Sequence, residues 1–302
     1  VSKIIIPPYL KPGDTVGILC TARAITEEEL APSISLLKSW GLKVKLGNTI
    51  GKRLHQMGGS DEEKVKDFQT MIEDSSVSCV WCARGGYGTV RIVDEINFAP
   101  LVKNPKWILG FSDITVLHSH LLQQYNLANF HGPLCSTIEK SSANAIESLK
   151  AALFGEDLSY TCAAHELNTS GEARGIVCGG NLSLLISLLG SESEIDTDGK
   201  ILFIEDLDEY LYHIDRMMMA LKRAGKLEKL AALVVGGLTE MRDNEVPFGK
   251  NAHSIVAEHI AEYSYPVCFG FPAGHQTENR TLKMGTSAQL SVKHESATLS
   301  FQ

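Results

Sequence analysis

The chain has 302 residues, 44% of them apolar, and a formal net charge of −8. That length can bury one large core or two smaller ones, and the acidic balance argues against a nucleic-acid partner, whose phosphates need cations. No apolar run approaches the length of a membrane span, and the opening Val1-Ser2-Lys3-Ile4-Ile5-Ile6-Pro7-Pro8 is too soon broken by proline for a signal peptide, although the missing initiator Met leaves a trimmed leader open.

Thr15-Val16-Gly17-Ile18-Leu19-Cys20 is a continuous apolar run, the pattern of a strand buried on both faces. Thr26-Glu27-Glu28-Glu29 opens a helix, with Thr26 as N-cap and acid in the first turn, running through Leu36, Leu37 and Trp40 to a stop at Gly41. Leu42 to Leu46 reads as a second strand. Ser60-Asp61-Glu62-Glu63 has capping-box spacing and starts a helix through Val65, Phe68, Met71 and Ile72. Val77 to Ala83 is a third strand, and Arg84-Gly85-Gly86-Tyr87-Gly88 follows it directly. Three glycines in four positions allow close backbone approach, either as an N–H cradle for an oxyanion or carboxylate or simply as a tight turn. It is not the G-x-G-x-x-G of a dinucleotide site.

Trp107-Ile108-Leu109-Gly110-Phe111-Ser112-Asp113 is a short apolar run ending in a bend, and Ile114, Leu117, His118 and Leu121 then recur at helical spacing. This is a strand, tight turn and helix with a serine on the bend. Such an elbow presents a hydroxyl beside backbone N–H groups, but Ile114 replaces the last glycine of G-x-S-x-G, and Ser112 also reads as an N-cap. Strands alternating with helices predict an α/β fold with a parallel sheet covered on both faces. Ligands in such sheets collect at the carboxyl ends of the strands, where the glycine loop and the elbow both lie.

Ala143 to Phe154 is an apolar-periodic helix, and the polar stretch after it, with Asn168-Thr169-Ser170-Gly171 as turn chemistry, is the expected boundary. The division is 1–155, a linker over 156–170, and 171–302. The second half opens with Arg174 to Asn181. A helix through Leu182, Leu185, Ile186 and Leu189 follows, then the strand Lys200 to Asp206. Tyr212, Ile214, Met217, Met218 and Leu221 mark another helix, in which the methionines fill core. Leu230 to Val235 is a buried strand closed by Gly236-Gly237. Residues 250–264 look helical, Pro266 to Phe271 is a strand, and Ala288 to Phe301 reads as a hairpin turning near His294-Glu295-Ser296. The whole suggests a mixed or barrel-like β domain with a few helices.

A serine nucleophile needs a base, and the base needs an orienting acid. Ten histidines compete. His118 and His120 lie on the helix after Ser112, His131 follows a short apolar run, and His213, His253 and His259 read as helix-surface or core residues. His275 sits at a strand–loop junction, in Pro272-Ala273-Gly274-His275. Glu205 is delivered by a buried strand and therefore needs a partner, either a histidine N–H or a base such as Arg216. A paired-carboxylate hydrolase built on Glu205, Asp206 and Asp208 is the competing arrangement. No His/Asp/Glu set has metal-ligand spacing, and no metal or organic cofactor is expected. Cys20, Cys79, Cys82, Cys135, Cys162, Cys178 and Cys268 read as structural thiols of a reducing, cytoplasmic protein. Cys79-Val80-Trp81-Cys82 lacks the second pair of a zinc site.

The run Arg84-Gly85-Gly86-Tyr87-Gly88, the elbow Gly110-Phe111-Ser112-Asp113, and His131-Gly132-Pro133 resemble the LD-carboxypeptidase family of serine peptidases. So do Gly179-Gly180-Asn181-Leu182, Leu202 to Asp206, Ile214-Asp215-Arg216 and Gly274-His275, in the family's order over nearly the whole chain. The resemblance implies a Ser–Glu–His triad on Ser112, Glu205 and His275. Oxyanion donors would be the backbone amides of Asp113 and Gly86, with Gly85 and Tyr87 in the same substrate-binding loop. It implies an N-terminal parallel-sheet domain of class I glutamine-amidotransferase type and a smaller C-terminal β-rich, swivelling β/α-like domain, as a homodimer. The implied reaction releases the terminal D-alanine from L,D-linked peptidoglycan tetrapeptides in the cytoplasm. Two alternatives stand beside it: cleavage of an amide in microcin-type peptide–nucleotide conjugates, which would want an aromatic side chain to stack the base, and non-catalytic binding of wall peptides. Trp40, Trp81 and Trp107 fall at positions that look buried. Arg84 and Arg242 are candidates to read the terminal carboxylate. Cys20-Thr21-Ala22-Arg23 departs from the family, which has small residues and proline there.

Overall fold

The computed structural model describes residues 3–301; Val1, Ser2 and Gln302, the ends of the two expected domains and the start of the leader reading, lie outside the described residues. In chain order come β1 (Thr15–Leu19), α1 (Glu27–Ser39), β2 (Lys43–Leu46), α2 (Asp61–Glu73), β3 (Val77–Cys82) and α3 (Ala99–Lys103). Then follow β4 (Trp107–Gly110), α4 (Thr115–Tyr125), β5 (Asn129–His131), α5 (Ala143–Phe154), β6 (Ser159–Ala163), β7 (Gly171–Asn181) and α6 (Leu182–Ser187). The chain closes with β8 (Ile201–Leu207), α7 (Leu211–Arg223), β9 (Ala232–Thr239), α8 (Ala252–Ile260), β10 (Val267–Cys268), β11 (Leu282–Met284), β12 (Ser287–Val292) and β13 (Ser296–Phe301).

Local chemistry accounts for the helix starts. Thr26 and Ser60 each accept from the backbone N–H three residues on while Glu29 and Glu63 reach back, so both capping boxes form. Ser142 caps α5 and Asn251 caps α8 in the simpler way, by accepting one backbone N–H.

The first sheet runs β11-β5-β4-β3-β1-β2, parallel except for β11. The order in which the chain adds its parallel strands therefore reverses between β1 and β3. Alternation along the strands sends Trp81, Trp107 and Leu109 into one core and Val80, Cys82 and Ile108 into the other. The first core is shared with Leu30 and Leu37 of α1, the second with Phe68 and Met71 of α2 and Leu117 and Leu121 of α4. Trp107 stacks on Phe130 at 3.9 Å and on Tyr9 at 5.4 Å, contacts worth about 0.5–1.5 kcal/mol each beyond area burial.

The second sheet runs β10-β9-β8-β7-β12-β13-β6, parallel from β10 to β7 and antiparallel beyond. Leu202, Ile204, Leu233 and Val235 face Ile214, Met217 and Met218 of α7 and Ile255 and Val256 of α8. Phe203 and Val234, on the other face, join the core of the first sheet, so the halves share apolar burial. The sheet curls strongly: Cys162 on β6 and Cys268 on β10, at opposite edges, bring their Sγ atoms within 3.7 Å.

Several elements differ from the sequence reading. Ser159–Ala163, inside the expected linker, forms β6, because Tyr160 is pulled into the core and its hydroxyl donates to the Thr281 carbonyl at 2.7 Å. Leu282–Met284 leaves the second half to pair with β5. β9 continues through Gly236-Gly237 to Thr239. Only Val267–Cys268 of the run to Phe271 pairs as strand, since the Phe269 N–H is taken by Asn168 Oδ1 and Gly270 turns at φ +69°. All seven cysteines are free, and six are buried. No helix among the described residues is long and apolar enough to cross a membrane.

Candidate active site

β4 ends at Gly110, and Ser112 follows on a single 3₁₀ turn that leads into α4. Ser112 has φ +65°, a conformation L-residues rarely adopt, so the elbow expected from the sequence is present and strained. Asp113 is buried, and its Oδ2 accepts the Thr89 N–H at 2.9 Å, tying the elbow to the end of the glycine loop. Burial raises the Asp113 carboxyl above its usual range, against the Thr89 hydrogen bonds that lower it.

The loop after β3 lies directly beside this turn. A Cβ at Gly85 would stand 3.4 Å from Ser112 Cβ and 3.5 Å from its Oγ. Gly86 has φ +111° and faces Arg23: a Cβ there would come within 2.6 Å of the Arg23 Nε. Tyr87 is 47% exposed and does not line the cavity that Ser112, Gly85 and Gly86 line. The structure therefore keeps the glycines of the loop beside the serine and leaves the tyrosine outside.

The second sheet brings the remaining groups. Glu205 stands at the carboxyl end of β8, where the register against β9 shifts between Ile204 and Asp206. Such an irregularity re-aims side chains. Fully buried, Glu205 accepts through Oε2 from His275 Nδ1 at 2.6 Å and from the His275 backbone N–H at 3.1 Å. The histidine pairing is thus the one formed; Arg216 instead lies over the Tyr212 ring. Because a carboxylate only accepts, Nδ1 carries the proton, and Nε2 is left as the basic nitrogen of the neutral ring. Burial pulls the His275 pKa down, but the charge and hydrogen bond of Glu205, backed by Asp206 and Glu240, outweigh it and raise the value above the ordinary 6.5. Asp206 points elsewhere, accepting from Asn181 Nδ2 and the Ser183 N–H at 2.9 Å each, and burial followed by the Glu205 charge pushes it up to about 6. Asp208 is held by Arg242 through two contacts at 2.5 Å. The three acids do not form a paired-carboxylate centre.

Gly274 explains why a glycine precedes the histidine. It has φ +102°, and a Cβ there would lie 2.7 Å from Glu205 Cβ and 2.8 Å from its Oε2. Gly274→Ala is expected to cost about 2–4 kcal/mol of stability from backbone strain and overpacking. Urea unfolding measures that cost, and turnover should fall with it because His275 follows in the chain.

Docking of the two sheets at the elbow depends on Gly180. Its Cβ position lies 2.4 Å from Thr115 Oγ1, and that hydroxyl accepts the Asn181 N–H at 2.9 Å. A cavity of about 640 Å³ opens where the sheets meet, lined by Ser112, His275, Gly85, Gly86, Phe111 and Asn181 among others. Ser112 and His275 share it with no hydrogen bond between them among the described residues; such contacts commonly tighten only when substrate binds. A smaller, mainly apolar pocket of about 240 Å³ lies against Phe111, Leu207 and His275.

Five of the other nine histidines are buried or hydrogen-bonded elsewhere. His118 bonds the Gly110 carbonyl, and burial lowers its pKa to about 4. His131 is fully buried, and burial, with the charges of His118 and His275, holds its pKa well below the ordinary 6.5. His120 meets Ser193, His213 meets Glu209, and His259 meets Asp215. Trp81 and Trp107 are fully buried, and no tryptophan lines the cavity among the described residues. Of the two arginines considered for carboxylate reading, Arg84 lines the cavity and Arg242 does not. Thr115 escaped the sequence reading, since nothing local marks a threonine as the docking point of a second sheet.

Residues 16–132 match the model of the LD-carboxypeptidase N-terminal domain, and residues 174–290 match that of the LD-carboxypeptidase C-terminal domain. A probable murein peptide carboxypeptidase of Bacillus subtilis is 35% identical over 97% of this chain and 93% of its own. A murein tetrapeptide carboxypeptidase of Pseudomonas aeruginosa is 27% identical over 91% and 92%. The crystal structure of muramoyltetrapeptide carboxypeptidase from Oxalobacter formigenes superposes with a TM-score of 0.87 at 29% identity, covering 95% of this chain and 98% of that one.

Proposed function

We propose, from the premise that this chain belongs to the LD-carboxypeptidase family, that Ser112, His275 and Glu205 are its nucleophile, general base and orienting acid. The chain is a serine-type carboxypeptidase acting on murein peptides. The observation that carries the triad is the 2.6 Å contact between His275 Nδ1 and the buried Glu205 carboxylate, in a cavity that also holds a serine at φ +65°.

The chemistry follows from these positions. Ser112 Oγ attacks the scissile carbonyl while His275 Nε2 takes its proton. Glu205 stabilises the imidazolium and fixes the tautomer. The backbone N–H groups of Asp113 and Gly86 receive the oxyanion, as the residue after the nucleophile and a neighbouring loop do in other serine elbows. The tetrahedral intermediate collapses as His275 protonates the departing D-alanine nitrogen. Water, deprotonated by the same imidazole, then releases the shortened peptide and restores Ser112. The bond broken is the one joining the L-centre of the diamino acid to D-alanine. A cytoplasmic homodimer without metal or organic cofactor, with a glutamine-amidotransferase-like first domain, completes this reading on the strength of the resemblance.

The test is incubation of the purified protein with a peptidoglycan tetrapeptide ending in D-alanine, followed by mass spectrometry. Loss of one alanine from the peptide is the expected result. No release from tetrapeptides carrying either lysine or diaminopimelate would overturn the substrate.

A further inference from the structure

Arg23 lines the cavity, and neither the triad nor the resemblance gives it a role. It follows β1, while Gly86 follows β3, and the parallel sheet reverses its winding between these two strands. Crevices of that kind, at the carboxyl ends of the strands, are where doubly wound sheets take ligands. The Arg23 side chain lies across Gly86, whose missing Cβ leaves room for its Nε and Cδ, and both residues line the cavity with Ser112.

The other charged groups on the cavity wall already have hydrogen-bond partners. Arg84 is held by Glu29 and by the Ala24 carbonyl, each at 3.3 Å. Among the acids on the cavity wall, Asp206 is bound by Asn181 and Ser183, Asp208 by Arg242, and Glu209 by His213. Arg23 has no acidic partner and no side-chain hydrogen bond among the described residues, and it is exposed. The cavity therefore carries one uncompensated guanidinium, placed beside the loop assigned to the oxyanion.

A carboxypeptidase substrate puts a matching charge there. Its last residue bears a carboxylate whose carbon is only two bonds from the scissile nitrogen, so a group that reads it must stand close to the oxyanion donors. A guanidinium can meet both oxygens of a carboxylate at once. We infer that Arg23 is a specificity-determining residue of this chain that binds the terminal carboxylate of the released D-amino acid. This inference rests on the function proposed above.

The test compares kcat/KM for one L,D-tetrapeptide with a free C-terminal carboxylate and for the same peptide as its C-terminal carboxamide. The unaltered enzyme should prefer the acid. In R23Q, kcat/KM for the acid should fall about tenfold to a hundredfold, the usual worth of a hydrogen-bonded charge contact, and the preference should shrink toward one. R23K should keep part of it. A preference retained in R23Q overturns the inference. An equal loss on both peptides overturns it too, because it would mark Arg23 as a support for the Gly86 loop. Collapse of the preference in R84Q instead of R23Q assigns the role to Arg84 and overturns it as well. If the unaltered enzyme turns over neither peptide, the proposed function has failed and the inference falls with it, a result distinct from the other three.

Discussion

Ser112→Ala is expected to lower kcat on the tetrapeptide by on the order of 10⁵–10⁶, the loss typical when a serine nucleophile is removed from a hydrolase triad. Only one oxygen is deleted, at a partly exposed position, and alanine at φ +65° meets the same backbone strain as serine. Thermal unfolding should therefore shift by little, and the variant should still bind substrate in the cavity formed by the glycine loop and Phe111. Alanine release followed by mass spectrometry, alongside a melting curve, separates the two effects. A variant that folds and still turns over within tenfold of the unaltered enzyme removes Ser112 from the mechanism.

Glu205→Gln is expected to lower kcat by about 10⁴, the scale of loss when the orienting acid of a triad becomes an amide. The side chain keeps its shape, but its amide can donate to His275 Nδ1. That would put the ring proton on Nε2, the nitrogen proposed above to accept from Ser112. The pH profile gives an independent readout. The base works only when neutral, so kcat/KM rises as pH rises through the His275 pKa. The Glu205 charge holds that pKa above 6.5, and the acid limb should lie above the ordinary histidine value. Asp206, pushed up to about 6, titrates near the same window. Removing the Glu205 charge should move what remains of the limb to lower pH. The same sign governs stability: a raised folded-state pKa means the protonated imidazole favours the fold, a contribution fully present below about 6.5 and lost as pH rises through the higher folded value. An unmoved acid limb in E205Q would show that Glu205 does not act through His275.

These effects bear on how two distant carboxyl ends become one site. β4 supplies a strained serine, and β8 supplies an acid from a fully buried strand end. Neither half is complete without the Gly180–Thr115 approach that brings the sheets together. A side chain larger than hydrogen at Gly180 would force them apart, and Gly180 and Asn181 of the motif are explained by that contact and by the Asn181 bonds to Asp206 and Thr115.

What the sequence determined by itself is what acts over a few residues. Hydrophobic runs bounded by glycine, the N-cap at Thr26, the capping box at Ser60, and a serine between an apolar strand and an amphipathic helix all depend on neighbours in the chain, and they formed as their patterns predicted. The isolated residues did not declare their partners. His275 was one histidine among ten, and Glu205 had a histidine and an arginine open to it, until the resemblance implied the triad. Only the tertiary structure decided that Glu205 meets His275 across 70 positions, that Tyr87 stays outside the cavity, and that Arg23 lies across Gly86. It also decided that Leu282–Met284 returns to the first sheet and that Tyr160 draws β6 out of the expected linker. The reason is physical: strand period and helix caps are set by local sterics and hydrogen bonds, whereas the pairing of strand edges and buried charges is set by which surfaces two sheets bury against each other.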